Sequence, residues 1–245
     1  MELADKVVVI TGAARRVGRA IALHLAEHGC HVALHYGRSA GEADEVADRI
    51  RGMGRCCTLV AGDLAVPSVP GRVVDAVIAE HGRIDALVNN AAVFPPTPLD
   101  ALTPDAFAQI LQVNLIAPVM LAAAVWPHFQ KAGAGKVVNI VDIYAERPWE
   151  RYIAYCASKA GLVNATRALA RAMAPVVQVN AVAPGIAIFP EDADDESRRR
   201  ILARVPLARP GSPLDIARAV RFLLGDADYV TGQVIAVDGG RSIWS

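Results

Sequence analysis

A tyrosine and a lysine one helical turn apart are the side chains of this sequence best suited to acid–base chemistry. Tyr155 and Lys159 lie four positions apart in a stretch with a helical pattern, so both face the same side of a helix. A cation beside a phenol favours the phenolate and lowers the phenol pKa. The pair therefore predicts a tyrosine that exchanges a proton at physiological pH.

A carboxyl group, Asp142, precedes Tyr155 by thirteen positions. Burial in an apolar crevice would raise its pKa, and the protonated carboxyl could then donate a proton or support Tyr155 in donating one. Asp142 is therefore a second candidate for supplying a proton.

A turn of mostly small residues follows the first apolar run and opens the first helical pattern. Small side chains let the backbone approach a pyrophosphate, and a helix N-terminus offers unpaired N–H groups and a favourable dipole. The turn predicts a dinucleotide site, with an ordinary tight turn as the alternative. Its residues are Thr11-Gly12-Ala13-Ala14-Arg15-Arg16-Val17-Gly18.

The second apolar run ends in His35-Tyr36-Gly37-Arg38-Ser39, and this segment indicates which dinucleotide is bound. An NAD-specific fold usually places Asp or Glu here to hold the ribose 2′-hydroxyl, and this segment has neither. Arg38 and Ser39, joined by Arg16 from the first turn, could instead donate hydrogen bonds to a 2′-phosphate. The segment favours NADPH over NADH, with solvated surface arginines as the alternative.

Short apolar runs alternate with longer helical patterns, which is typical of βαβ units that build a parallel sheet. No Pro-, Gly- or Ser-rich linker and no repeat divides residues 1–245, so we expect one domain, an α/β Rossmann-type doubly wound sheet with helices on both faces. Ser39 is expected to cap one helix, Ser212-Pro213 to begin a later one at its N-cap and first turn, and Gly29 to stop another. The predicted strands are Val7–Ile10, His31–His35, Cys56–Val60, Ala86–Asn89, Lys136–Val141, Val176–Val182 and Val234–Val237.

Composition argues against several classes of protein. The chain carries 25 basic and 25 acidic side chains and is 53% hydrophobic, which disfavours disorder and a nucleic-acid or anionic-membrane partner. The four cysteines fit neither a disulfide framework nor a zinc site, and His24 and His28 have no third ligand at a recognisable spacing, so no metal is expected. The uncharged stretch Ala106–Gln130 suits a buried or oligomer-facing helix better than a membrane span. We expect a soluble, cytoplasmic protein with a small-molecule substrate.

The whole chain resembles the short-chain dehydrogenase/reductase family. The motifs that carry the resemblance occur in the family's order: Thr11–Gly18, Asp63-Leu64, Asn89-Asn90-Ala91, Asn114, Tyr155 with Lys159, Pro184-Gly185 and Val237-Asp238-Gly239-Gly240. Two departures from the general pattern are Arg16, where the turn usually has its middle glycine, and Asp142, where the family usually has a serine. With His35–Ser39 and Asn90–Leu99, they resemble the pteridine reductases and the bacterial dihydromonapterin reductases, also called alternative dihydrofolate reductases.

The resemblance implies roles for individual residues. Asp142, Tyr155, Lys159 and Asn114 would be catalytic. Hydride transfer to an imine carbon becomes easier as the ring nitrogen gains a proton, so Asp142 in place of the serine, together with Tyr155, would favour reduction of a C=N bond. Phe94 would stack on a pterin or folate-like substrate, which Asp142, Trp149 and Tyr155 would also contact. The residues implied to bind NADPH are Gly12, Arg15, Arg16, Val17, Gly18, His35, Tyr36, Arg38, Ser39, Asp63, Leu64, Asn90, Ala91, Ala92, Tyr155, Lys159, Pro184, Gly185 and Ile186.

The family also implies an assembly and a variable region. The subunits would form a homotetramer through two long central helices, here Ala106–Ala132 and Tyr152–Met173. A substrate loop is expected near 186–205. Trp149 and Tyr152 could line the substrate mouth or lie in an interface between subunits.

The resulting functional hypothesis is NADPH-dependent reduction of a dihydropterin to a tetrahydropterin, with dihydromonapterin, dihydrobiopterin or dihydrofolate as substrate. An NADPH-dependent carbonyl reductase for a ketone or a 3-oxoacyl thioester is the alternative within the fold, and Asp142 in place of serine speaks against it. A nucleotide-sensing Rossmann protein without turnover is the alternative outside catalysis. The presence of Tyr155 and Lys159 favours an enzyme.

Overall fold

The described residues of the computed structural model, 1–187, 189 and 194–243, build one sheet of seven parallel strands. The strands are β1 (Val7–Ile10), β2 (His31–Tyr36), β3 (Cys57–Ala61), β4 (Ala86–Asn89), β5 (Gly135–Ile140), β6 (Val177–Pro184) and β7 (Val234–Val237). Their order across the sheet is β3-β2-β1-β4-β5-β6-β7, so the direction of winding reverses between β1 and β4. The predicted α/β doubly wound class is confirmed.

The strand boundaries show what sets the length of a strand. β1, β4 and β7 have the predicted bounds. The other strands differ from the prediction by one or two residues at an end. A strand ends where its backbone pairing with a neighbouring strand ends, whatever the hydrophobicity of the next residue. Tyr36 extends β2 because it pairs with Ala61, and Pro184 extends β6 because it pairs with Val237.

Helices cover both faces of the sheet. Successive residues of a strand point to opposite faces, so Val8 and Ile10 of β1 pack in one apolar layer, whereas Val7 and Val9 pack in the other. The helices of the described residues are α1 (Arg16–Glu27), α2 (Ala40–Gly52), α3 (Val69–His81), α4 (Pro104–Leu111), α5 (Ala117–Ala132), α6 (Ile153–Ala172), α7 (Asp195–Leu202) and α8 (Pro213–Gly225). The layer of Val8 and Ile10 includes α1, α2 and α8, and the layer of Val7 and Val9 includes α3, α5 and α6.

The helix ends follow the sequence signals with one exception. Gly29 ends α1 with φ +93°, as a helix stop requires. Ser212 forms a capping box at α8: its hydroxyl accepts from the Asp215 N–H at 3.2 Å, and its own N–H donates to the Asp215 carboxylate at 2.9 Å. Ser39 precedes α2 as predicted, but its side chain makes no capping hydrogen bond, because its backbone (φ −91°, ψ 62°) is not in the extended conformation of a typical cap.

The predicted helix Ala106–Ala132 consists of α4, a π-helical turn at Gln112–Ile116, and α5. Among the described residues, Pro104–Ala132 is the one helical stretch long and apolar enough to cross a membrane by length and composition. A central helix of a globular domain meets the same criteria. In this fold α5 buries Leu121, Val125 and Phe129 in the layer that it shares with α3.

The expected substrate loop near 186–205 is described in part. Its second half forms α7, where the Asp194 carboxylate accepts from the Ser197 N–H at 2.8 Å and so caps the first turn. Residues 188 and 190–193 of the loop lie outside the described residues.

Candidate active site

The predicted site residues follow the carboxyl ends of neighbouring parallel strands. The turn that starts at Thr11 follows β1, the segment from Asn90 follows β4, Asp142 follows β5, and Gly185 follows β6. In a doubly wound sheet these ends meet in one crevice, at the point where the winding reverses. The topology therefore brings together motifs that are far apart in the sequence.

Asp142 and Tyr155 form a direct hydrogen bond. The Tyr155 hydroxyl donates to Asp142 Oδ2 at 2.8 Å. The other carboxylate oxygen, Oδ1, accepts from the Tyr144 N–H at 2.9 Å, which fixes the orientation of the carboxyl group. Both ends of this pair are thus positioned by the backbone that follows β5 and by α6.

Burial dominates the proton affinities of this pair. It raises the pKa of Asp142, against the hydrogen bonds from Tyr144 and Tyr155 and the charge of Lys159, as the sequence predicted. Burial, followed by the charge of Asp142 and the hydrogen bond to it, also raises the pKa of Tyr155 well above its ordinary value. The predicted lowering of the Tyr155 pKa by Lys159 is therefore wrong.

Lys159 reaches the backbone and not the phenol oxygen. Its ammonium donates to the Ile140 carbonyl at 2.8 Å and lies 5.7 Å from the centre of the Tyr155 ring. The side chain is only 2% exposed, and burial lowers its pKa to about 8, against the charge of Asp142. Among the side chains that shift the pKa of Tyr155, Asp142 is therefore the charged group nearest to the hydroxyl.

Asn114 lies in the π-helical turn and is fully buried. Its amide exchanges two hydrogen bonds with the backbone of Val93, each at 2.9 Å, and donates to Ser158 Oγ at 3.2 Å. The extra residue of a π turn bulges out of the helix, and such turns occur frequently at functional sites. Asn114 was predicted to be catalytic, and in the structure its contacts hold the segment after β4 against α6.

An aromatic cluster extends from Tyr155 toward solvent. Phe94 stacks on Tyr152, with ring centres 4.1 Å apart and planes 2° from parallel, and meets Tyr155 edge-on at 4.4 Å. The ring centre of Trp149 lies 4.6 Å from that of Tyr152 and 5.5 Å from that of Tyr144. Phe94, which was expected to stack on a substrate, is 45% exposed and uses one face on Tyr152. Trp149 and Tyr152 are thus continuous with the site.

The turn after β1 is built for close backbone approach. Gly12 has φ +63°, and a Cβ on it would lie 2.9 Å from the Cα of Ala91. A Cβ on Gly18 would lie 2.2 Å from the Gly12 carbonyl oxygen. Asn90 Nδ2 donates to the Thr11 and Gly12 carbonyls at 2.9 and 3.0 Å, so this amide, predicted to contact a cofactor, holds the turn.

The three arginines predicted for the nucleotide have different surroundings. Arg16 has φ +52°, a conformation that glycine adopts readily and other residues rarely do. Arg16 and Arg38 are exposed at the same edge of the sheet, since β1 and β2 are adjacent and parallel. Arg15 instead forms a 3.4 Å ion pair with Glu42 between exposed side chains.

His35 is a structural bridge below the turn. It is 2% exposed; its Nδ1 accepts from the Gly12 N–H at 3.4 Å, and its Nε2 donates to the Gly62 carbonyl at 3.0 Å. Burial lowers its pKa, which fits the neutral ring that this pattern requires. Both ring nitrogens are therefore used within the chain, so the imidazole holds the turn, and the predicted cofactor contact of His35 stays a prediction.

The remaining predicted cofactor residues lie at the same edge of the sheet. Asp63 is exposed and accepts from the Ala65 N–H at 3.0 Å, whereas Leu64 is buried in the core. Tyr36 and Val17 are partly buried against the core. The others, with their accessibility, are Ser39, Ala91, Gly185 and Ile186 (half-buried), Ala92 (exposed) and Pro184 (buried).

Several side chains around the site were not predicted. Thr97 is buried, and its hydroxyl accepts from the Ala154 N–H at 3.2 Å at the start of α6. Tyr144 contacts the aromatic cluster, and Arg241 donates to its hydroxyl at 3.3 Å. The proximity of Tyr144 to Asp142 in the sequence was a usable signal, whereas Arg241 is 97 positions from Tyr144 and gave none.

A group of potential metal ligands lies on α1. His24, Glu27 and His28 place one ligand atom each within 4.8 Å of one another. Among the described residues the buried ring nitrogens of His24 have no close hydrogen-bond partner, and Nδ1 lies 3.5 Å from Glu27 Oε2. The sequence spacing predicted no third ligand beside the histidines, and the position of Glu27 corrects that prediction. Among the described residues this is the only such group, and it includes none of the residues around Tyr155.

Comparison with known proteins gives one family and several relatives. The sequence model of a family described as enoyl-(acyl carrier protein) reductase matches residues 12–242. A protein assigned by name as ketoacyl reductase 2 of the granaticin polyketide synthase, from Streptomyces violaceoruber, is 35% identical over 244 residues, with 97% of this chain and 96% of the relative covered. A 3-oxoacyl-(acyl-carrier-protein) reductase from Staphylococcus epidermidis is 32% identical over 240 residues, with 96% and 98% covered. An uncharacterized oxidoreductase from Mycobacterium tuberculosis is 38% identical over 245 residues, with 97% and 92% covered.

Proposed function

This chain belongs to the short-chain dehydrogenase/reductase family, an oxidoreductase family, and from that premise we propose that it is an NADPH-dependent reductase of a polar double bond. The observation that carries the proposal is the 2.8 Å hydrogen bond between the Tyr155 hydroxyl and Asp142 in the crevice at the carboxyl ends of the strands. A proton can be stored there beside the place where a substrate would be reduced.

The residues after β1 and β2 fit a dinucleotide. Added Cβ atoms at Gly12 and Gly18 would collide with neighbouring backbone, so the turn can bring N–H groups of the α1 N-terminus close to phosphates. Arg16 and Arg38 are exposed cations at the same edge, suited to a 2′-phosphate. When bound, NADPH supplies the hydride.

Tyr155 and Asp142 would complete the reduction by protonating the atom next to the carbon that is reduced. The high pKa of Tyr155 keeps its hydroxyl protonated, and the raised pKa of Asp142 allows the pair to hold a second proton in mildly acidic solution. At pH values below its pKa of about 8, Lys159 carries a positive charge that stabilises negative charge on this pair.

A carbonyl group is the first candidate for the double bond. Two relatives that align over nearly their whole length carry names of ketoacyl or 3-oxoacyl reductases. This supports a ketone or a 3-oxoacyl thioester as substrate, with Tyr155 protonating the carbonyl oxygen as it becomes a hydroxyl. The relatives' names give no support to a pterin.

The C=N bond of a dihydropterin is the second candidate, and Asp142 is the observation that favours it. Ring nitrogen must gain a proton during reduction, and a buried carboxyl with a raised pKa can provide one through Tyr155. The partly exposed face of Phe94 also suits a planar ring.

Parallel assays of NADPH consumption test the proposal and choose between its substrates. Acetoacetyl-coenzyme A represents 3-oxoacyl thioesters, and dihydrobiopterin and dihydrofolate represent reduced pteridines. Turnover of the thioester alone supports the carbonyl reductase, and turnover of a pteridine alone supports the second candidate. Failure to consume NADPH with ketones, thioesters and pteridines alike would contradict the proposed function and favour a nucleotide-binding protein without turnover.

A further inference from the structure

The C-terminal turn brings a cation to the candidate site. The Gly185 N–H donates to the Val237 carbonyl at 3.0 Å, and a Cβ on Gly185 would lie 2.7 Å from the Cα of Asp238. The absence of a side chain at Gly185 therefore allows the segment after β7 to lie directly against the loop after β6. This contact places Arg241 at the edge of the crevice.

Backbone hydrogen bonds fix the turn that carries this arginine. The Asp238 carboxylate accepts from the Gly240 N–H at 3.0 Å and from the Ser242 N–H at 2.6 Å. Arg241 lies between these two donors in a short 3₁₀ helix, Arg241–Ile243. Its backbone is thus positioned before any ligand binds.

The Arg241 guanidinium faces the residues around Asp142. It donates to the Tyr144 hydroxyl at 3.3 Å and lies 5.8 Å from the centre of the Tyr144 ring. The N–H of Tyr144 in turn holds Asp142 at 2.9 Å. Burial raises the pKa of Asp142, and the positive charge of Arg241 is one of the influences that oppose this rise. Arg241 is thus close enough to interact electrostatically with Asp142.

Among the described residues, the Arg241 guanidinium donates one side-chain hydrogen bond, the bond to Tyr144. A guanidinium has five N–H donors in a planar fork, and the contact to Tyr144 uses one. Within the described part of the chain, Arg241 forms no ion pair with a carboxylate. A half-buried arginine with a free fork beside an aromatic cluster suits a carboxylate or a phosphate.

We propose that Arg241 binds an anionic group of the substrate, a carboxylate or phosphate remote from the double bond that is reduced. This rests on the proposed function, and it deepens it by giving the substrate two parts. One part lies at Tyr155, and an anionic part lies on the far side of Tyr144. Both candidate substrate classes include such molecules, since coenzyme A thioesters carry phosphates and folates carry glutamate carboxylates.

The test compares charged and neutral substrates of the same reacting group. Acetoacetyl-coenzyme A is paired with ethyl acetoacetate, and dihydrofolate with dihydrobiopterin, in wild-type enzyme and in Arg241→Gln. We expect the variant to raise KM for the charged member at least about tenfold and to leave KM for the neutral member within about twofold. Arg218→Gln, an exposed arginine of α8 whose nearest carboxylate is 4.0 Å away, is the control and should change neither.

Three results would overturn this inference. Equal effects on charged and neutral substrates would show a general structural role, and no effect on either would show that Arg241 does not contact substrate. A rise confined to KM for NADPH would assign the arginine to the cofactor. Arg241→Lys keeps the charge and should recover part of the loss, which separates recognition of an anion from a packing defect.

Binding measurements test the role of Arg241 without requiring turnover. Isothermal titration of the same four compounds into the NADP-saturated protein should show about tenfold weaker binding of the charged members by Arg241→Gln. If wild-type protein reduces none of them, the proposed function fails, and the ratio of the two affinities still decides the role of Arg241. Equal weakening of charged and neutral ligands in titration would contradict it.

Discussion

Asp142 and Tyr155 act as one titrating unit because they share a hydrogen bond in a buried place. At 2.8 Å the hydroxyl proton of Tyr155 points at the carboxylate, so ionised Asp142 withholds that proton from a substrate. Protonation of Asp142 removes the acceptor and frees the Tyr155 hydroxyl to donate elsewhere. The proton available for reduction therefore depends on the state of the carboxyl group.

This coupling predicts a pH dependence with a definite sign. Because the pKa of Asp142 is raised, the protonated form becomes populated at a higher pH than for an ordinary aspartate. We expect kcat to rise as the solution is acidified below neutral pH, starting at a higher pH than an ordinary aspartate would give, and to decline above pH 8 as Lys159 loses its charge. Steady-state rates measured across this range provide the check.

Asp142→Asn serves as the control for that profile. The amide keeps the shape of the side chain and cannot be protonated in this range, so the rise in acid should disappear while the decline above pH 8 remains. An unchanged acid limb in Asp142→Asn would show that another group titrates.

The sequence could predict Asp142 and Tyr155, and the raised pKa of Asp142, because both depend on residue type and on burial in an apolar core. It could not predict the raised pKa of Tyr155. That shift follows first from burial of the phenol and then from the charge of Asp142 beside it, whereas the helical spacing pointed to Lys159. The Lys159 ammonium bonds instead to the Ile140 carbonyl, a contact between α6 and β5 that no local pattern reveals.

The turns that follow β1 and β2 should decide which dinucleotide the chain uses. Arg38 is exposed and follows β2, next to the Arg16 turn, so its removal should weaken binding of the 2′-phosphate and nothing else. We expect Arg38→Ala to raise KM for NADPH by about tenfold or more and to leave KM for NADH unchanged. Arg49→Ala, an exposed arginine near the end of α2, is the matched control.

Measurement of KM for NADPH and for NADH in both variants tests the assignment of Arg38. Equal increases in KM for NADPH and NADH in Arg38→Ala would contradict the assignment to the 2′-phosphate. The same change in Arg49→Ala would point to a general loss of positive charge on α2.

Two serines at helix starts offer a test of capping. Ser212 caps α8 with its side chain, whereas Ser39 begins α2 without a side-chain hydrogen bond. We expect Ser212→Ala to lower the free energy of unfolding by about 1 kcal/mol, and Ser39→Ala to change it by less than about 0.5 kcal/mol. Denaturant unfolding of the protein without nucleotide measures both, and equal losses would contradict the role of the capping box.

Strand positions could be predicted well because every strand of this sheet is a short apolar run between helical patterns. The π-helical turn at Gln112–Ile116 could not be predicted, since the apolar pattern continues through it without a break. The extra residue is detected only once Asn114 is seen bonded to the backbone of Val93. The prediction that Ser39 caps α2 was wrong for a similar reason. Backbone angles, which depend on the neighbouring strand, decide whether the hydroxyl can reach an N–H.

We propose that the whole molecule is a homotetramer. α5 and the π turn before it leave Met120 and Ile116 44% and 42% exposed, and apolar side chains on a long central helix suit burial between subunits. Light scattering of the eluting protein should give about 104 kDa, four times the 25.9 kDa chain. Met120→Glu should yield smaller species, and a wild-type mass near that of one chain would contradict the assembly.

We propose that Tyr155, held by Asp142, protonates the substrate in an NADPH-dependent reduction. Tyr155→Phe removes one oxygen and keeps the ring that packs against Phe94. The decisive measurement is the rate of NADPH consumption by wild type and Tyr155→Phe with the reduced substrate, together with NADPH affinity from titration. We predict at least about a hundredfold fall in kcat with NADPH affinity unchanged. A variant that consumes NADPH as fast as wild type would contradict this role of the Tyr155 hydroxyl.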